Sequence, residues 1–392
     1  MEFSIVFYIT LAILLLILLV NASRRSSIEE PFFDRVLSKE FQGFLAVFII
    51  FHQTVVTLDH FDYGDTRNIM YPFFNYFYYG ILAVCFFFFS SGFGLMKRWL
   101  TDDKYIKGFM RRRIFTVLVP FFICNYIYLT DALINNIRVG SHFHPGEVVC
   151  SFFGVFLINN QMWFAVEIMI LYLLFRIVFA KLKKPVLGIF IMTAAVLIMI
   201  IIGLLSGHSN SPVMSYWFKG EWWYNTILMF PLGMLYAYKE ERMNKIVRKA
   251  FVSILIASGI LLIILDYVHR ILIERSIYYT ETFDSTHPFL DKVFGLGVET
   301  IFESVFLIFV LTIMSRFKFG NPVLKFLGKI SLEMIMLNYL FCSKLYFLYI
   351  RYGIYVYLAA VIAGTIMGAT VVYFIKNIVL ERKTKLFDGK VN

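Results

Sequence analysis

Apolar runs of membrane-crossing length alternate with short polar segments along the whole chain. A charge-free run of roughly 17–25 residues crosses the ~30 Å hydrocarbon core of a bilayer as a helix, so run length predicts the elements here. The first run, 3–20, is followed by Arg24 and Arg25. A cleaved leader carries its basic residues before the apolar run, so this one is read as a retained span. Ten more runs follow, at about 41–58, 70–95, 113–133, 162–180, 185–205, 222–238, 250–267, 294–315, 326–348 and 354–376. The pattern predicts an all-α polytopic membrane protein of about 11 transmembrane helices. A hairpin is expected at Lys181–Pro185, between the fourth and fifth of these ten.

Charge sets the orientation. With the N-terminus outside and the C-terminus cytoplasmic, alternation places 28 of the 37 Lys and Arg residues on the inner side, eight outside and one, Arg176, within a span. Dropping a span would exchange the sides of every later loop, so the bias supports the arrangement as drawn. The inner loops are short and basic. The outer ones, His142 to Gln161, Gly207 to Trp223 and Tyr267 to Lys292, are longer and aromatic, with Trp217, Trp222, Trp223, Tyr278 and Tyr279 suited to the membrane interface or to stacking on a sugar. No internal repeat of the kind that builds many transporters is visible.

Composition agrees. Of 392 residues, 60% are hydrophobic and 16% charged, outside the range of soluble domains. The net charge of +11 belongs to the cytoplasmic loops, so it marks topology and no nucleic-acid partner is expected. The four cysteines, Cys85, Cys124, Cys150 and Cys342, lack metal-ligand spacing, so no metal is expected and they read as small buried hydrophobes.

Three constellations carry candidate chemistry. In Ser38–Gln53 the run rises from Lys39 and Glu40, and a helix starting at Phe41 puts His52 roughly 17 Å into the membrane. Ionisable groups at that depth are costly and mark functional sites. Glu167, Arg176, Asp266, Glu299, Glu303 and Glu333 share that property, and Glu299 and Glu303 fall on one helical face. A carboxylate beside His52 would orient the ring for general-base work, and Glu167, after Trp163-Phe164, is the preferred partner. The second constellation is the cytoplasmic Arg111-Arg112-Arg113, which either anchors topology or binds phosphates through guanidinium forks. The third is a set of glycine-punctuated segments around Gly92, Gly233 and Gly328, where small residues permit close helix packing.

Five segments, QGFLAVFIIFHQ, FFFFSSGFGL with KGFMRRRIFTVLVP, QMWFAVEIMILYLLF, FPLGMLYA and FLGKISLEMIMLNYLF, resemble in order and spacing the membrane acyltransferase 3 family, which O-acylates cell-surface polysaccharides and other extracytoplasmic acceptors in bacteria. The resemblance covers about residues 35–380 and implies a ten-helix core, preceded here by an extra span and linker at 1–34 and followed by a cytoplasmic tail at 381–392. It implies a multi-pass protein of the cell membrane that takes an acyl group from cytoplasmic acyl-CoA. That donor, acetyl-CoA by expectation, would be a co-substrate, with no permanently bound cofactor, and the acceptor a hydroxyl of an extracytoplasmic sugar or glycan. By the same resemblance His52 is the base, and Arg111, Arg112 and Arg113 hold the coenzyme A phosphates. The sequence departs from the family pattern where a basic residue is expected eleven positions before the histidine, with Phe41 there and Gln42 next to it. It departs again where relatives carry a second histidine, here Gln53, and in the late segment, where a histidine is replaced by Asn338. Lys39 is a candidate for the missing cation. The alternative is a transporter or exporter of glycan intermediates on the same scaffold with a decayed catalytic site.

Overall fold

The computed structural model describes residues 12–13, 15–25, 32–60, 80–102, 104–139, 144–208, 214–220, 222–275 and 288–388. Most of the first predicted span, the 70–79 half of the third, and Tyr278 and Tyr279 lie outside the described residues. The rest is overwhelmingly helical. Among the described residues, eight helices are long and apolar enough to cross a membrane, so the chain is a multi-pass membrane protein.

The helices start where local chemistry permits. Helix α1, Arg35–His60, carries the predicted second span, and the Asp34 carboxylate caps it by accepting from the Leu37 amide at 2.8 Å. Helix α2, Gly80–Thr101, follows. The arginines form the short α3, Phe109–Arg113, which runs through a π-helical turn, Ile114–Leu118, into α4, Val119–Val139. Pro120 has no N–H to give the carbonyl four residues back, a local reason for the ladder to change there. The amphipathic α5, Pro145–Phe152, opens with a capping box between His144 and Glu147. The expected hairpin is present: α6, Trp163–Lys181, stops before Pro185, which begins α7, Pro185–Leu205.

The predicted span 222–238 is different. It forms two pieces, α8, Trp222–Asn225, and α9, Met229–Tyr238. Ten residues of helix reach only about 15 Å, half a bilayer. Pro231 fits only the first turn of a helix, so α9 has to restart just ahead of it. Thr226 and Ile227 in the break are buried, and their carbonyls accept from the Met229 and Phe230 amides at 3.1 Å. Irregular backbone is tolerated in a membrane protein on those terms. A basic amphipathic helix α10, Glu240–Lys249, precedes α11, Phe251–Arg275, which runs beyond the predicted end at 267. Then come α12, Pro288–Met314, α13, Pro322–Lys344, capped by Asn321, the short α14, Tyr346–Tyr352, and α15, Ile354–Asp388. Among the described residues there are also two short antiparallel pairings: β1, Ser23–Arg24, with β4, Phe317–Lys318, and β2, Phe156–Leu157, with β3, Ser215–Tyr216.

The chain divides into two compact units. The first comprises Met1–Ile106, Ile177–Asn210 and Lys219–Lys329, and the second Lys107–Arg176, Ser211–Phe218 and Ile330–Asn392.

Candidate functional site

In the first unit, two crossings of backbone on backbone organise the helices. A Cβ on Gly43 would overlap the Leu324 carbonyl, and one on Gly328 the Lys39 carbonyl. Likewise a Cβ on Gly92 would strike the Phe230 carbonyl and one on Gly233 the Phe89 carbonyl. The glycine-punctuated segments are therefore packing devices, as small residues are in lipid, where close approach replaces the hydrophobic drive between helices.

This packing fixes the surroundings of His52. Its half-buried ring lies over Gly80, where an added Cβ would sit 2.6 Å from Cδ2 and 2.7 Å from Nε2. Gln42 is buried, and its amide donates to Ser90 Oγ at 2.5 Å, which ties α1 to α2 at the residue next to the close approach at Gly43. Gln53 is buried next to the histidine, and Lys39 is exposed.

The first unit also holds a histidine that sequence reasoning put outside the spans. His269 Nε2 lies 3.2 Å from Glu299 Oε1, and both side chains are 1% exposed. One turn further, Glu303 is fully buried, and among the described residues neither of its carboxylate oxygens has a hydrogen-bond partner. One turn before His269, Asp266 is ion-paired with Arg270. The available signal was the Asp266, His269 and Arg270 spacing, three charges or potential charges on one helical face, which reads as helix rather than loop.

The second unit holds the arginine turn. Gly108 caps it with φ 66°, a left-handed conformation that glycine adopts without strain. The buried Phe109 follows, and the Arg113 guanidinium rests 5.3 Å from its ring centroid and 4.7 Å from that of Tyr172. Arg112 Nη1 donates to the Lys107 carbonyl at 3.0 Å, and Arg111 and Arg112 are exposed. One arginine is thus fixed on aromatic faces while its two neighbours project outward.

The same unit places Glu167 in the second turn of α6, fully buried, with neither carboxylate oxygen hydrogen-bonded among the described residues. Trp163, a turn earlier, is half-buried and set edge-on to Phe164. In α13 the hydroxyl of Tyr128 donates to the Met336 carbonyl at 3.0 Å and accepts from the Leu340 amide at 2.9 Å. A side-chain oxygen is thereby inserted where the helix would close its own i to i+4 bond, and Asn159 Nδ2 donates to the same carbonyl at 3.2 Å. Asn338, inside that opened turn, is buried and accepts from Thr365 Oγ1 at 3.1 Å. A buried ion pair joins Glu333 to Lys376. No spacing in the sequence signals the Tyr128 insertion, because its partners are 208 and 212 residues away.

The structure thus groups Lys39, Gln42, His52 and Gln53 in the first unit, and Arg111, Arg112, Arg113, Trp163, Glu167 and Asn338 in the second. Among the described residues no group of three or more His, Cys, Asp or Glu side chains is arranged to hold a metal ion. No curated protein and no solved structure matches the chain. The acyltransferase 3 family model, described as an acyltransferase domain, matches residues 41–376, which takes in α1 with His52, the arginine turn, Glu167 and Asn338. A multi-pass helical protein with that match over nearly its whole length belongs to the acyltransferase 3 family and is a membrane acyltransferase.

Proposed function

We propose that the protein transfers an acyl group, acetyl in the first instance, from cytoplasmic acyl-CoA to a hydroxyl of an extracytoplasmic sugar or glycan at the cell membrane. The arginine turn is the observation that carries the donor assignment. Arg111 and Arg112 project from a turn whose third arginine is locked on Phe109 and Tyr172, and guanidinium forks match the phosphate oxygens of coenzyme A. His52 is the base. It takes the proton of the acceptor hydroxyl as that oxygen attacks the thioester carbonyl carbon. The tetrahedral oxyanion then collapses, the C–S bond breaks, and the imidazolium returns the proton to the departing thiolate. Glu167, buried and with neither carboxylate oxygen hydrogen-bonded among the described residues, is a candidate catalytic group of the second unit.

The donor assignment is tested on purified protein by the concentration of acetyl-CoA needed for half-maximal transfer. Replacing Arg111 and Arg112 with Gln should raise it by about tenfold or more, since a hydrogen bond to a charged group is worth about 1.5–3 kcal/mol. An unchanged requirement would remove the arginines from the donor site. Absence of any transfer by the native protein, with acceptor glycan supplied, would favour the exporter reading.

A further inference from the structure

Contacts along one side of the basic helix α10 fix which way it is turned. Its Glu240 carboxylate is ion-paired with Lys97 of α2, its Asn244 accepts from the Tyr236 hydroxyl of α9 at 2.7 Å, and Val247 is buried. Near its end Arg248 folds back, with the guanidinium 5.5 Å from the Phe32 ring centroid. The opposite side carries Arg242, Lys245, Ile246 and Lys249 at helical spacing, with Met243 on the flank, and all five are exposed. The acidic residue beside them, Glu241, lies in the first turn, where a negative charge offsets the positive end of the helix.

The position of α10 decides what that side meets. One residue, Ala250, separates it from α11, whose first turn exposes Val252, and on a spanning helix such exposure faces lipid. The β1–β4 pairing lies at the same end, because the Arg316 guanidinium donates to the Arg248 carbonyl at 3.2 Å and rests 5.2 Å from the Phe251 ring centroid. That pairing exposes Arg24, Phe317 and Lys318. Exposed cations are thus interleaved with exposed Met243, Ile246 and Phe317 where a spanning helix enters the membrane. The apolar side chains fit the boundary of the acyl chains, and the cations fit the headgroups above it.

We propose that α10 is an interfacial helix whose Arg242, Lys245 and Lys249 bind net-negative phospholipid headgroups of the adjoining leaflet, while Met243 and Ile246 enter the acyl boundary. Guanidinium and ammonium groups hold the headgroup phosphate. A zwitterionic lipid offers the same phosphate with a compensating cation, so preference for net negative charge is the signature of the site. The inference goes beyond the acyltransferase reading and does not depend on it.

The test is the lipid preference of the purified full chain in detergent. Phosphatidylglycerol and phosphatidylcholine with the same acyl chains are titrated separately, and bound lipid is counted by native mass spectrometry. The native protein should bind phosphatidylglycerol more tightly by about tenfold or more, since each basic residue near an anionic surface is worth about fivefold. Changing all three cations, Arg242→Gln, Lys245→Gln and Lys249→Gln, should erase most of that preference. These side chains are exposed, so the variant should stay monodisperse. Met243→Ser with Ile246→Ser should weaken both lipids alike and leave their ratio unchanged. Equal binding of the two lipids by the native protein would overturn the proposal. So would a preference that survives intact in the triple variant, which would place the anionic site elsewhere. Displacement of phosphatidylglycerol from the native protein by an equal concentration of inorganic phosphate or acetyl-CoA would also overturn it, by making α10 a site for free phosphates.

Discussion

The two units solve the same problem, packing helices where water cannot help, by different means. In the first, backbone meets backbone at glycines: Gly43 and Gly328, and Gly92 and Gly233. In the second, side chains reach across to the backbone: Tyr128 and Asn159 to the Met336 carbonyl, and Asn125 to the Ser151 carbonyl. The first unit keeps a mostly apolar interior in which a few polar groups are buried, among them Gln42 bonded to Ser90, His269 paired with Glu299, and Glu303. The second builds a polar interior in which a buried Lys–Glu pair, Asn338 and Glu167 are held. Glycine crossings fix distance, while polar crossings fix orientation as well, because hydrogen bonds are directional.

That contrast is open to direct attack. The largest effect is expected at the glycine crossing. Gly233→Val should prevent folding, because its Cβ would occupy the place of the Phe89 carbonyl, and loss of monodisperse protein after detergent extraction measures it. Next comes the buried pair. Glu333→Gln alone leaves the Lys376 charge buried and should destabilise by roughly 3–5 kcal/mol, whereas Glu333→Leu with Lys376→Met should recover most of that loss. Denaturant unfolding of both variants tests whether the second unit needs the charges or only the packing. The smallest effect belongs to the inserted hydroxyl: Tyr128→Phe removes a donor to Met336 and an acceptor for Leu340, at about 1–3 kcal/mol. If the polar crossing fixes orientation as argued, that variant should lose acyl transfer by more than its stability loss explains.

Much of this was legible in the sequence, and the exceptions have physical causes. Run length found the eight spanning helices seen among the described residues, since a bilayer allows few other solutions. It misread 222–238, because hydrophobicity says nothing of the break that Pro231 requires. It ended the helix of Asp266 too early, because charges read as loop when their partners are unknown, and so His269 was assigned to an outer segment. The pairing of His269 with Glu299 cancels the cost that the reading assumed. His52 was visible from depth alone, and Glu299 and Glu303 from their spacing. The setting of Asn338 was not, since it depends on Tyr128 inserting into a helix more than 200 residues away in sequence.

The central claim is that His52 is the base of an acyl-CoA-dependent transfer. The most direct measurement is transfer from radiolabelled acetyl-CoA to acceptor glycan by the purified native protein and by its His52→Ala variant, with monodispersity and acetyl-CoA binding checked in both. Alanine leaves Gly80 uncrowded, so the variant should fold and bind the donor. The account predicts a loss of transfer of about 10²–10⁴-fold with donor binding retained. Transfer at the native rate by the alanine variant would contradict it.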